Sequence, residues 1–223
     1  MSRSMVMVAL ALAACSPIDP LATGREEPDA AAEAPTHREP DLGAMVTIAA
    51  ATFTMGHPVE APGGYGQPWK ENELPAHQVS LPEYLIDRDE VSVAAYGEFL
   101  SAAGGELHYH PLQPIVASEG SYEPAPDAAD QPIRLVSWYD AVTYCAWTGK
   151  RLPTEAEWER AARGPDDRTY PWGEDAPSCE RTTFFTGVTS CAPEPRPSGS
   201  SSPAGDSAEG VRDLAGNVGE WVG

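Results

Sequence analysis

Apolar and polar positions alternate with a period of two in Met45-Val46-Thr47-Ile48, and again in Thr52-Phe53-Thr54-Met55, where Gly56 ends the run. That period sends successive side chains to opposite faces and predicts half-buried strands. Residues 78–81 and 84–86 predict two further short strands. After Ser92 the period lengthens. Tyr96, Phe99 and Leu100 share one face of a helix predicted to run to about Ala103, with Ser92 as its cap. Residues 57–76 and 104–131 carry no period and are expected to be loops.

Two more helices are announced by their caps. Ser137-Trp138-Tyr139-Asp140 places an acid three residues after a serine, and Ala141, Val142, Cys145 and Ala146 then line one face up to Gly149. Thr154-Glu155-Ala156-Glu157 repeats the capping box behind Pro153 and opens a short helix that stops at Gly164. Trp158, Ala161 and Ala162 form its packing face. Glu159 and Arg163 are an i,i+4 ion pair that contributes only ~0.2–0.5 kcal/mol.

The ends of the pattern differ from its middle. Met1 to Ala14 holds a lone Arg3 and then an apolar run that stops in small residues. The run is shorter than the ~20 residues a membrane span needs, so it reads as a secretory signal. Leu12-Ala13-Ala14-Cys15 resembles the bacterial lipobox, which makes Cys15 the expected lipidation site and the first residue of the mature chain. Each buried acyl methylene contributes ~0.8 kcal/mol, so several chains anchor stably. Pro17, Pro20, Pro28, Pro35 and Pro40 lie among Asp, Glu and Ala in the segment that follows. Residues 15–43 are therefore expected to be a mobile tether, which places a domain at 44–223 on the bacterial cell envelope.

Composition narrows the function. The 223 residues hold 14 Lys plus Arg against 34 Asp plus Glu, a net charge of −20. Such a surface repels phosphates, so nucleic acid is not expected as a partner. The 23 Pro and 20 Gly exclude a helical bundle and indicate a loop-rich domain. The four cysteines are too few for a disulfide scaffold. Cys179 and Cys191 flank a loop of eleven residues and read as a disulfide in an oxidising compartment, with a redox-active or metal-binding thiol pair as the rival reading. Cys145, on the apolar face of its helix, is expected to be buried, either free or paired with a cysteine beyond residue 223. His108-Tyr109-His110 has no third ligand nearby and reads as exposed loop histidines. Lys150-Arg151 reads as an ion-pair partner of structural kind. Ser198 to Gly205 lacks the Gly-Lys-Ser/Thr ending of a phosphate cradle.

A series of blocks then falls into a known order: Phe53-Thr54-Met55-Gly56, Glu73-Leu74-Pro75-Ala76-His77-Gln78-Val79, Asp89-Glu90-Val91, Val136-Ser137-Trp138, Tyr144-Cys145-Ala146-Trp147, the run from Gly149 to Glu159, Tyr170-Pro171-Trp172-Gly173, and Gly210 to Trp221. Together they resemble the formylglycine-generating enzyme, or sulfatase-modifying factor, domain over about residues 44–223. The resemblance implies a mixed α+β fold related to C-type lectins, with short strands, few helices and many loops. It implies oxygen-dependent oxidation of a cysteine in a protein or peptide substrate to formylglycine. Copper held by two thiolates serves that reaction, since soft ligands suit Cu(I).

The family's catalytic cysteines lie beyond the Gly-Asn-Val-x-Glu-Trp block, so the chain is expected to stop short of them and to hold no catalytic residue. Asp213, Gly216, Val218 and Glu220 match a family calcium site built from carboxylates and main-chain carbonyls. Gly219 stands where the family usually has Trp. Thr182-Thr183 stands where a second calcium site has Asn, and that site is not carried over. Two alternatives remain: a non-catalytic, lectin-like binding module of a surface lipoprotein, and an oxidase acting on another thiol or a small metabolite.

Overall fold

A computed structural model of the chain describes residues 10–11, 15–17, 45–57, 73–103, 105–184 and 191–223. Among the described residues are ten short strands and three α-helices, with a 3-10 turn at Gly105–Leu107: β1 (Leu10–Ala11), β2 (Ser16–Pro17), β3 (Met45–Ile48), β4 (Ala51–Met55), β5 (His77–Leu81), β6 (Tyr84–Asp87), α1 (Val93–Ala103), β7 (Ile115–Ser118), β8 (Ser121–Pro124), α2 (Trp138–Trp147), β9 (Lys150–Arg151), α3 (Glu155–Arg163) and β10 (Gly219–Glu220). The strands pair only in twos: β3 with β6, β4 with β5, β7 with β8 and β2 with β9 antiparallel, and β1 with β10 parallel. This is the mixed α+β architecture that the sequence predicts.

The helices begin where their caps place them. Ser92 Oγ accepts from the Ala95 amide at 3.1 Å ahead of α1. Both capping boxes close reciprocally: Ser137 with Asp140 on α2, and Thr154 with Glu157 on α3. Helix α3 stops at Gly164, whose φ of +67° suits a residue without Cβ. Two hydrophobic clusters result. In the first, Tyr96, Phe99 and Leu100 of α1 meet Tyr144, Cys145 and Trp147 of α2, and Phe99 stands edge-on to Tyr144 at a centroid distance of 5.6 Å. In the second, Ala161 and Ala162 of α3 cover Ile48, Ile86, Val211 and Leu214. The second cluster carries the loop that bears the candidate site.

Four expectations are corrected. Residues 104–131 are not all loop, for β7 and β8 form a hairpin there. Glu119 and Gly120, at φ of +49° and +85°, make its two-residue turn. Tyr122 of that hairpin lies over Gly97 and Gly105, and a Cβ on Gly105 would come within 2.4 Å of its ring. His108 is not an exposed loop histidine. It packs against Phe99 with Nδ1 2.8 Å from Asp140 Oδ1.

The other two concern cysteines. Cys145 is joined to Cys15, not to a partner beyond residue 223. Cys15, expected to begin a mobile tether, is fully buried with its sulfur in that disulfide. Its amide donates to Asp87 Oδ2 at 3.0 Å, and Ser16 and Pro17 pair with Arg151 and Lys150. Residues 15–17 are therefore part of the domain. The remainder of the expected tether, and all of the expected signal except Leu10 and Ala11, lies outside the described residues.

Candidate metal centre

The loop 210–220 crosses the second cluster with Val211 and Leu214 pointing into it. Four of its residues, Gly210, Asp213, Gly216 and Asn217, have positive φ, which coils the segment tightly. A Cβ on Gly216 would lie 2.1 Å from Thr182 Oγ and 2.5 Å from the Thr183 carbonyl, so only glycine fits. The neighbouring Thr182-Thr183 holds this loop from outside. The Thr182 hydroxyl donates to the Ala215 carbonyl, and the Asn217 amide donates to the Thr183 carbonyl at 2.8 Å. These two residues thus brace the coiled loop.

The structure brings Asp213 close enough to Glu220 to disfavour the charge of Glu220. Asp213 Oδ2 accepts the Gly199 amide, and Glu220 Oε2 accepts the Trp158 indole N–H. Burial, with Asp213 adding a like charge, pushes the Glu220 carboxyl up to about 7. Burial also raises Asp213, with Asp89 and Asp206 adding to the effect.

A third carboxylate stands behind them. Glu90, on the connection between β6 and α1, is 4% exposed. Its Oε2 accepts from Asn217 Nδ2 at 2.8 Å and Ser198 Oγ at 2.9 Å. Its Oε1 is buried without a hydrogen-bond partner among the described residues. Burial raises its proton affinity well above the ordinary carboxylate range, and Glu220 and Asp213 raise it further. Sequence reasoning did not single Glu90 out. In Asp87-Arg88-Asp89-Glu90 it is one acid of three, and nothing local says which one turns inward.

Hard oxygen donors, a coiled turn and carboxylates that resist ionisation together suit a dication, whose charge would offset their repulsion. Among the described residues no three or more His, Cys, Asp or Glu form a metal-holding group. A cation at this loop would therefore rest on the carboxylates of Asp213 and Glu220 and the carbonyls of Gly216 and Val218. Arg196 ties the loop to the second disulfide. Its amide donates to Asn217 Oδ1 at 2.9 Å, and its guanidinium reaches the Cys179 and Cys191 carbonyls. Cys179 and Cys191 are joined as the sequence predicts. Beside the loop lies a cleft of about 450 Å³ lined by Trp158, Arg163, Leu214 and Ala215, with Gly56 and Glu73 opposite.

The fold and this loop define a domain of sulfatase-modifying type. The chain belongs to the family of the sulfatase-modifying factor enzyme 1-like domain, whose model matches residues 30–223. It is 34% identical to the formylglycine-generating enzyme of Thermomonospora curvata, over 79% of this chain and 70% of that protein. It is 33% identical to the hercynine oxygenase of Mycolicibacterium smegmatis, over 68% of this chain and 40% of that protein. It is also 34% identical to the serine/threonine-protein kinase Pkn1 of Chlamydia trachomatis, but spans only 28% of that protein's length. Among solved structures, PvdO from Pseudomonas aeruginosa is similar at 27% identity and a TM-score of 0.60, covering 86% of this chain and 76% of that one.

Proposed function

We propose that the chain is the calcium-ordered scaffold of a formylglycine-generating-type oxidase, and that its own four cysteines build the scaffold and take no part in oxygen chemistry. The observation that carries this reading is the state of those cysteines: Cys15–Cys145 and Cys179–Cys191 are disulfides, which leaves no pair of thiolates to hold copper. Calcium would sit on Asp213, Gly216, Val218 and Glu220. It would supply positive charge between two half-buried carboxylates and hold the loop closed beside the cleft, where a cysteine-containing peptide would lie. Glu90, through Asn217, keeps that loop against the strand-to-helix connection.

The test is a peptide assay. The 223-residue chain, incubated with copper, oxygen and a Cys-x-Pro-x-Arg peptide, is expected to give no formylglycine by mass spectrometry. Formylglycine formed by this chain overturns the reading. The paired cysteines equally favour a second reading, a non-catalytic binding module carried at the bacterial envelope. Retention of peptides without a cysteine as tightly as those with one would favour it over the oxidase scaffold. Resemblance to hercynine oxygenases supports a third substrate class, a small metabolite.

A further inference from the structure

The anchor proposed from Leu12-Ala13-Ala14-Cys15 and the disulfide seen at Cys15 compete for one sulfur. In the folded domain that sulfur is inaccessible. Cys15 and Ser16 are fully buried, and Cys145 lies on the inner face of α2 between Tyr144 and Trp147. The main chain reinforces the bridge. The Cys15 amide donates to Asp87 Oδ2, the Asp87 amide donates to the Cys15 carbonyl at 3.0 Å, and Lys150 Nζ closes the arrangement 2.6 Å from Asp87 Oδ1. The chain is described on both sides of the bridge, with β1 on β10 and β2 on β9.

We infer that Cys145 controls the lipidation of Cys15: the protein exists either with Cys15 joined to lipid and Cys145 a buried free thiol, or with the two joined to each other and no lipid at that sulfur. The inference rests on the anchor reading. In the lipid branch the Cys15 thiol gives up its proton, its sulfur bonds to a glyceryl carbon of a phospholipid, and the phosphate-bearing group leaves with the proton. In the disulfide branch the two thiols lose two protons and two electrons to the disulfide of an envelope thiol oxidant, which becomes a dithiol. Each product removes the reactant of the other branch.

The full chain, exported in a bacterial host, is digested without reduction, and the partner of the Cys15 sulfur is read by mass spectrometry. The unaltered protein is expected to give both a lipidated Cys15 peptide and a Cys15–Cys145 cross-linked peptide. Cys145→Ser is expected to give the lipidated peptide alone and in greater amount. Growth with a membrane-permeant thiol reductant should shift the unaltered chain the same way, which guards against a variant that fails to fold. A lipidated share unchanged by both treatments, or no cross-linked peptide in the unaltered protein, overturns the inference and leaves the anchor standing. No lipidated peptide in any arm removes the anchor reading, and the inference with it.

Discussion

Glu157 shows how one side chain serves two elements. Its carboxylate caps α3 by accepting the Thr154 amide at 2.8 Å, and it takes both Arg151 terminal nitrogens at 2.7 and 2.8 Å. Burial alone would raise its pKa, but the Arg151 and Thr154 bonds overcome that and hold it below the ordinary carboxylate value. A depressed folded pKa contributes stability that is present above the unfolded value, near 4.5, and is lost as pH falls through the folded value. Glu157→Gln is therefore expected to lower stability at neutral pH by about 1–3 kcal/mol. It should also flatten the loss on acidification, measured as urea midpoints between pH 7 and pH 3. At Gly216 the constraint is space. Gly216→Ala must move Thr182 or the coiled turn, and is expected to cost about 1–3 kcal/mol of strain in the same titration. The capping role of Glu157 is written in Thr154-x-x-Glu157, whereas its pairing with Arg151 depends on how β9 enters α3.

The helices were legible because caps and period agree locally. Thr154→Ala removes the hydroxyl that accepts the Glu157 amide and should destabilise by about 1 kcal/mol, with helical content by circular dichroism falling little at low temperature. The β7–β8 hairpin was not legible. Its strands expose half of their side chains, and what holds it is Tyr122 seated against Gly97 and Gly105, a contact between distant segments. Strand boundaries moved by a residue because pairing, such as Ala51 with Leu81, decides where a strand begins. The loop 210–220 was legible as a motif, but its braces Thr182, Thr183 and Glu90 come from elsewhere in the chain.

At the scale of the molecule, the loop proposed for calcium and the Cys179–Cys191 cystine are joined through Arg196. Calcium is expected to raise the melting temperature, and Asp213→Ala combined with Glu220→Ala should abolish the rise. An identical melting curve with calcium and with chelator would remove the metal from the proposed function. Replacing Cys179 and Cys191 by alanine opens a loop of sequence separation 12 and should cost ~3 kcal/mol in the chain-entropy account. Because Arg196 joins those cysteines to Asn217, that variant should also weaken the calcium response. An undiminished calcium shift would show the two loops to be independent.

By itself the sequence determined what local spacing can encode: three capped helices, the four strands β3 to β6, the acidic loop-rich composition and the ordered blocks that mark the family. Periodicity, caps and motifs act over a few residues, and the physics that selects them is equally short in range. Tertiary structure alone decided that Glu90 is buried near Asp213 and Glu220, that Tyr122 closes over two glycines, and that Cys15 reaches Cys145 across a sequence separation of 130. Those outcomes depend on which surfaces meet once apolar faces are buried, and that meeting joins residues whose separation along the chain leaves no pattern to read.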